Sequence, residues 1–170
     1  MSREDAYKYE WLNGIVEKTK LTLDYTQFYI AQNLCNYFEL FRFKNKIDGL
    51  LIIKGDVFFL KNHRRPDIAF FTSQQIEDAA DGINPVPKFV IEIISNTDAI
   101  NRVNKKLQDY RAANVEVVWH IFPQSQEVHI YGGENLDTVH IKRGDMICSA
   151  NPTLSDFNMP VSDIFKRKKE

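Results

Sequence analysis

Residues 88–94 read Lys-Phe-Val-Ile-Glu-Ile-Ile. Apart from Glu92, this run is apolar on both alternating faces. A strand of that kind is covered on both sides, so it lies inside a sheet with layers packed above and below it. That one segment excludes an all-helical chain and an open, one-faced sheet. It also poses a chemical question. A carboxylate flanked by branched apolar side chains costs several kcal/mol to bury unless it is paired, protonated or bound to a metal. Three readings of Glu92 stand: an ion pair with a nearby Arg or Lys, a position at the strand end reaching solvent, or a functional carboxylate.

The surrounding chain fits an α/β arrangement. A helical stretch from about Asp98 to Ala113, with Ser95 or Thr97 as its cap, leads into a second apolar strand, Val-Glu-Val-Val-Trp-His-Ile-Phe over 115–122. Strand, long helix and central strand in succession form a crossover unit. Upstream, residues 7–20 predict a hairpin around Asn13-Gly14, whose residues tolerate the positive φ of a type I′ turn. A helix is expected from about Tyr25 to Phe43, with Asp24 as N-cap and Gln27 as its capping-box partner; Ile30, Leu34 and Phe38 recur every four residues along it. Residues 49–60 suggest two strands meeting in a turn at Gly55-Asp56, within an antiparallel meander. Pro66 to Phe71 reads as a strand with proline at its first residue. Residues 73–87 read as one helical turn and a loop. Residues 127–143 predict a polar-edged hairpin, and the segment from 152 an irregular tail with a last helical turn. The whole is a mixed sheet flanked by helices, and 170 residues fit one domain, 1–170.

Charge and cysteine content narrow the partners. A net charge of -1 and a pI near 6.4 exclude a broadly basic nucleic-acid-coating surface. They leave room for a local groove built on Lys61, His63, Arg64 and Arg65, extended by Lys44, Lys46, Arg102, Lys105 and Lys106. The run Lys166–Lys169 reads as a solvated tail. Cys35 and Cys148 form no CxxC pair and read as two reduced, buried thiols. No apolar run approaches the ~20 residues of a membrane span, and the acidic, polar start lacks a signal peptide's apolar stretch. A cytoplasmic protein is expected.

Three further residues bear on Glu92. At about 100° per residue, Lys106 falls about 60° from Val103, within the stripe formed with Leu107 and Tyr110, while Lys105 points nearly opposite. Lys106 therefore leans toward the sheet, either as a snorkelling lysine covering apolar surface or as a partner of Glu92. Asp67 opens the apolar run Ile68-Ala69-Phe70-Phe71, either as a turn-capping aspartate or as a second functional acid. Glu10 precedes Trp11 in the first hairpin strand and, from the residues alone, reads as an exposed strand position. Two acids on neighbouring strand ends with one lysine make a divalent-metal phosphodiesterase site: Mg²⁺ or Mn²⁺ on carboxylate oxygens, with the lysine neutralising developing charge. The four histidines show no HxH or HExxH spacing. His120 reads as a core residue, and only His63 stands near enough to Asp67 in sequence to meet a phosphate.

Taken in order, Tyr9-Glu10-Trp11-Leu12-Asn13-Gly14, Arg65-Pro66-Asp67-Ile68-Ala69-Phe70, Phe89-Val90-Ile91-Glu92-Ile93-Ile94-Ser95, Lys106-Leu107-Gln108-Asp109-Tyr110, Asn114 to Trp119 and Met159 to Phe165 resemble the Uma2 family. This is the DUF820 group within the PD-(D/E)XK nuclease superfamily. The resemblance implies a restriction-endonuclease-like fold with N-terminal and C-terminal hairpins, DNA as substrate and a homodimer. It implies Asp67, Glu92 and the backbone carbonyl of Ile93 as metal ligands, with Glu10 joining from the hairpin. The superfamily lysine usually follows the glutamate by two residues, where this chain has Ile94, so the resemblance assigns that role to Lys106 on the next helix. Asn13, Ile15, Asn96, Arg102 and Asn114 depart from the family pattern. Three functions stay open: a metal-dependent endonuclease, a weak or inactive nuclease-fold protein that binds nucleic acid or protein, and a structural homo-oligomer whose acids and Lys106 form an ion-pair network.

Overall fold

The computed structural model describes residues 7–20, 27–59, 62–95 and 98–167. Its centre is a six-stranded mixed sheet, in the order β10-β9-β8-β7-β6-β3. In chain order these are β3 (Leu50–Ile53), β6 (Ile68–Phe71), β7 (Phe89–Ile93), β8 (Val117–Phe122), β9 (Glu127–Gly132) and β10 (Thr138–Arg143). The β7 strand, which carries Glu92, pairs antiparallel with β6 and parallel with β8. The parallel pair is joined by α3 (Ile100–Ala112), as the crossover pattern predicts.

Alternation along β7 assigns the two faces. Phe89 and Ile91 pack with Ile30, Leu34 and Phe38 of α1 (Phe28–Asn45) and with Phe157 near the C-terminus. Val90 packs on the other face with Leu107 and Tyr110 of α3. Glu92 shares the parity of Val90, so its side chain is directed to the α3 side.

Over that second face lies a four-stranded sheet in the order β2-β1-β5-β4. It contains β1 (Tyr7–Leu12), β2 (Ile15–Lys20), β4 (Val57–Phe59) and β5 (Asn62–Arg64). The β1–β2 hairpin turns at Asn13 and Gly14, with φ of 49° and 82°, as the Asn-Gly pair predicts.

Several expectations are corrected. The β3 and β4 strands do not form a hairpin; β3 pairs with β6 and β4 with β5, in different sheets. The segment Lys54–Asp56 instead carries the chain from one sheet to the other. Helix α1 begins at Phe28 and ends at Asn45, and the Gln27 side chain makes no capping bond; Asp24 lies outside the described residues. Helix α2 (Ser73–Ala80) spans eight residues rather than one turn, because Thr72 and Gln75 form a reciprocal capping box. Helix α3 starts at Ile100 without a side-chain cap: the Ser95 N–H and hydroxyl both donate to Asp98 Oδ2, and Thr97 lies outside the described residues. The tail is not irregular, since β11 (Ile147–Ser149) and β12 (Asn158–Pro160) form a hairpin before α4 (Val161–Ile164). Among the described residues the expected basic groove does not assemble. Arg64 is fully buried, Lys44 and Lys46 end α1 on the opposite side of the central sheet from α3, and Lys61 lies outside the described residues.

Candidate active site

The β6–β7 register pairs Ile68 with Ile91, which sets Asp67 level with Glu92 on the adjacent strand. Glu92 in turn pairs with His120 of β8. These three side chains thus form a row across the sheet on the face covered by α3. Pro66 precedes Asp67 and has no N–H to extend the ladder, so β6 begins at Ile68 and Asp67 is freed to use its side chain.

Helix α3 supplies two groups to Glu92, one turn apart. Lys106 Nζ lies 2.9 Å from Glu92 Oε2, and the Tyr110 hydroxyl donates to Glu92 Oε1. Glu92 is 3% exposed, so both interactions act in a low dielectric. Burial alone would lower the Lys106 pKa; the surrounding Glu92, Glu10 and Asp67 overcome it and hold the ammonium well above its usual range. Burial and the Glu92 charge push the Tyr110 phenol up, so it stays a donor.

Asp67 is held from two directions. Its Oδ2 accepts the Ile93 N–H at 2.7 Å. Its Oδ1 pairs with the Lys54 ammonium, and the Lys54 N–H donates to the Asp67 carbonyl at 3.0 Å. The N–H and C=O of one strand residue project from the same edge, so the Ile93 carbonyl faces the Asp67 side as well.

Glu10 is buried rather than exposed, because β1 presents it inward beside β5. Its Oε2 accepts from Arg64 Nη1 at 2.9 Å and its Oε1 from the Arg65 N–H at 3.2 Å. Arg64 also donates through Nε to Asp109 Oδ2 at 2.8 Å, and Asn62 donates to Asp109 Oδ1. Burial disfavours the Arg64 charge, but Asp109 and Glu10 outweigh it and raise its pKa. Lys105, by contrast, extends away to Glu17, 3.0 Å distant. His63 meets Asp56 and stacks on Phe58.

The structure thus gathers Asp67, Glu92 and Lys106 at one point and brings Glu10 within the field of Lys106. Sequence reasoning missed Lys54, Arg64, Asp109 and the hydroxyl of Tyr110. Tyr110 carried a signal, since it stands four residues after Lys106 on the same helix stripe. Arg64 carried none, because its partners lie 54 and 45 residues away.

The donor set suits a hard cation. Asp67, Glu92 and the Ile93 carbonyl offer only oxygen, the ligand chemistry of Mg²⁺ or Mn²⁺. Four carboxylates (Glu10, Asp67, Glu92 and Asp109) face three cations (Lys54, Arg64 and Lys106), leaving one negative charge unbalanced. Among the described residues no three His, Cys, Asp or Glu side chains cluster as a metal cage, so an ion here would need the backbone carbonyl and water as further ligands.

The model of the family described as Uma2, putative restriction endonuclease, matches residues 1–162. Among solved structures, the chain resembles a putative nuclease belonging to DUF820 from Anabaena variabilis, at a TM-score of 0.76 and 17% identity, over 92% of this chain and 89% of that one. No protein of curated function matches.

Proposed function

The chain belongs to the Uma2 family, and from that premise we propose that it is a metal-dependent endonuclease that hydrolyses phosphodiester bonds of DNA. The observation that carries the proposal is the placement of Asp67 and Glu92 level on adjacent strands, with Ile93 between them and Lys106 on Glu92. Asp67, Glu92 and the Ile93 carbonyl would hold Mg²⁺ or Mn²⁺, with Glu10 adding negative field through Lys106. Such an ion, when bound, supplies Lewis acidity to the phosphoryl group and to a nucleophilic water.

The chain's own groups do the remaining work. Tyr110 fixes one Glu92 oxygen and Lys106 the other, which together orient the carboxylate. The Lys106 ammonium remains charged at any working pH and opposes the negative charge that builds on the phosphoryl oxygens. Arg64, locked between Glu10 and Asp109, ties the small sheet to α3 and so fixes the helix that carries Lys106.

A second reading keeps the fold and drops the reaction. Each oxygen of Asp67, Glu92 and Glu10 already accepts from a protein donor, as in a closed ion-pair network. Thermal melts with and without Mn²⁺, paired with cleavage of supercoiled plasmid, decide between them. The nuclease reading requires a metal-dependent rise in Tm and cleavage, both lost in Asp67→Asn and Glu92→Gln while each variant stays folded. No shift and no cleavage in the parent protein would leave the second reading standing.

A further inference from the structure

Beside Lys54, on the same face of the central sheet as Asp67, lies a cavity of about 330 Å³. Its walls are mainly apolar, formed by Ile52, Phe58, Phe71, Ile76, Ile83 and Pro85. Gly55 and Asp56 line it too, and both follow directly on Lys54, whose ammonium sits on Asp67. The chain thus runs from the cavity wall directly into the residue that meets Asp67. Resting on the nuclease reading of that site, we propose that this cavity receives one nucleobase of the substrate, next to the phosphate held at Lys54.

Size, chemistry and charge favour a heteroaromatic ring joined to an anion. The volume is at the small end of ligand pockets, ample for a single purine. Two phenylalanines line the walls, and Phe58 is backed by His63, stacked at 4.6 Å with 20° between the ring planes. A ring buttressed in this way makes a firm stacking surface. Asp56 and Asn84 bring polar groups to the lining, where the edge of a base needs partners. The carboxylate of Asp56 does not repel an approaching phosphate strongly, because Arg65 holds it through Nε at 2.7 Å and Nη2 at 3.1 Å, and His63 at 2.9 Å. Lys54 is 49% exposed, so its ammonium can turn from Asp67 to a phosphate without unpacking anything. A base lodged here while its phosphate lies on the sheet edge is unstacked from its neighbours, which is how proteins read single-stranded or extruded nucleotides.

The test uses the full chain in EDTA, so that neither metal nor turnover contributes. Deoxyadenosine monophosphate and deoxyribose 5-phosphate are titrated separately by calorimetry. The base-bearing probe is expected to bind roughly tenfold more tightly, the worth of one base stacked on an aromatic side chain. Ala79→Phe, on the exposed helix α2 and lining the cavity, should erase that difference; Lys54→Met should weaken both probes alike. Equal affinity of the two probes for the parent protein, or no binding of either, overturns the pocket whatever the variants do. Plasmid cleavage by the parent protein, measured separately, keeps the two ideas apart: cleavage with no preference for the base-bearing probe sinks the pocket alone, and a base preference without cleavage sinks the nuclease alone.

Discussion

Lys106 concentrates the chemistry of the site in one side chain. It is the cation that Glu92, Glu10 and Asp67 share, so its removal strands buried charge. We expect Lys106→Ala to abolish cleavage and to destabilise the metal-free protein by about 3–5 kcal/mol, with added Mn²⁺ restoring more Tm than it adds to the parent. Lys105→Ala should match the parent in both assays, because its ion pair with Glu17 is half-exposed and worth little. His120 makes a separate point. Burial, then the nearby charges of Lys106 and His129, push its imidazole down to about 3, and neither ring nitrogen has a partner among the described residues. A folded-state pKa below the unfolded value of about 6.5 means that the neutral ring's stability is fully present above that pH and is lost as pH falls toward 3. Denaturant melts should therefore show the parent losing on the order of 3 kcal/mol more than His120→Leu between pH 6.5 and pH 4. Sequence patterning placed His120 in the core from its apolar neighbours, yet it could not reveal the row it shares with Asp67 and Glu92, because strand register is set by tertiary pairing.

At the scale of elements, legibility follows length and periodicity. The β7 strand and α3 were readable because each repeats its own period over more than a turn or a pleat, and Glu92 and Lys106 were found as exceptions within those periods. The β5 strand was not readable: Asn62, His63 and Arg64 are three polar residues, held by pairing to Trp11 on one side and Val57 to Phe59 on the other. The sheet switch between β3 and β4 was equally hidden, because Gly55-Asp56 also fits a hairpin turn. The entry to β3 has a sharper requirement. Gly49 has φ of +147°, and a Cβ there would lie 2.4 Å from the Phe71 carbonyl and 2.7 Å from the Phe70 ring. Gly49→Ala must displace β6, the strand that Asp67 precedes, so we expect a Tm drop of many degrees and weaker Mn²⁺ binding in calorimetry. Gly82→Ala, whose added methyl meets nothing within 4 Å, is the control for backbone strain alone.

For the whole molecule, the central sheet ends at β10, whose outer edge pairs with no strand among the described residues. Val139 and Ile141 on it are 50% and 45% exposed. An apolar open edge invites pairing, and we expect a homodimer formed there. Light scattering should give twice the chain mass at micromolar concentration for the parent and the chain mass for a Val139→Lys, Ile141→Lys double variant; a monomeric parent would reject the interface. No helix among the described residues is long and apolar enough to cross a membrane. The matching of Glu10, Asp67 and Glu92 by Arg64, Lys54 and Lys106 has its own consequence at this scale. A chain whose acids are neutralised by its own side chains to within one charge need not wait for an ion in order to fold. On the nuclease reading, synthesis and loading become separate events, and the finished molecule would wait for a divalent cation before it could act.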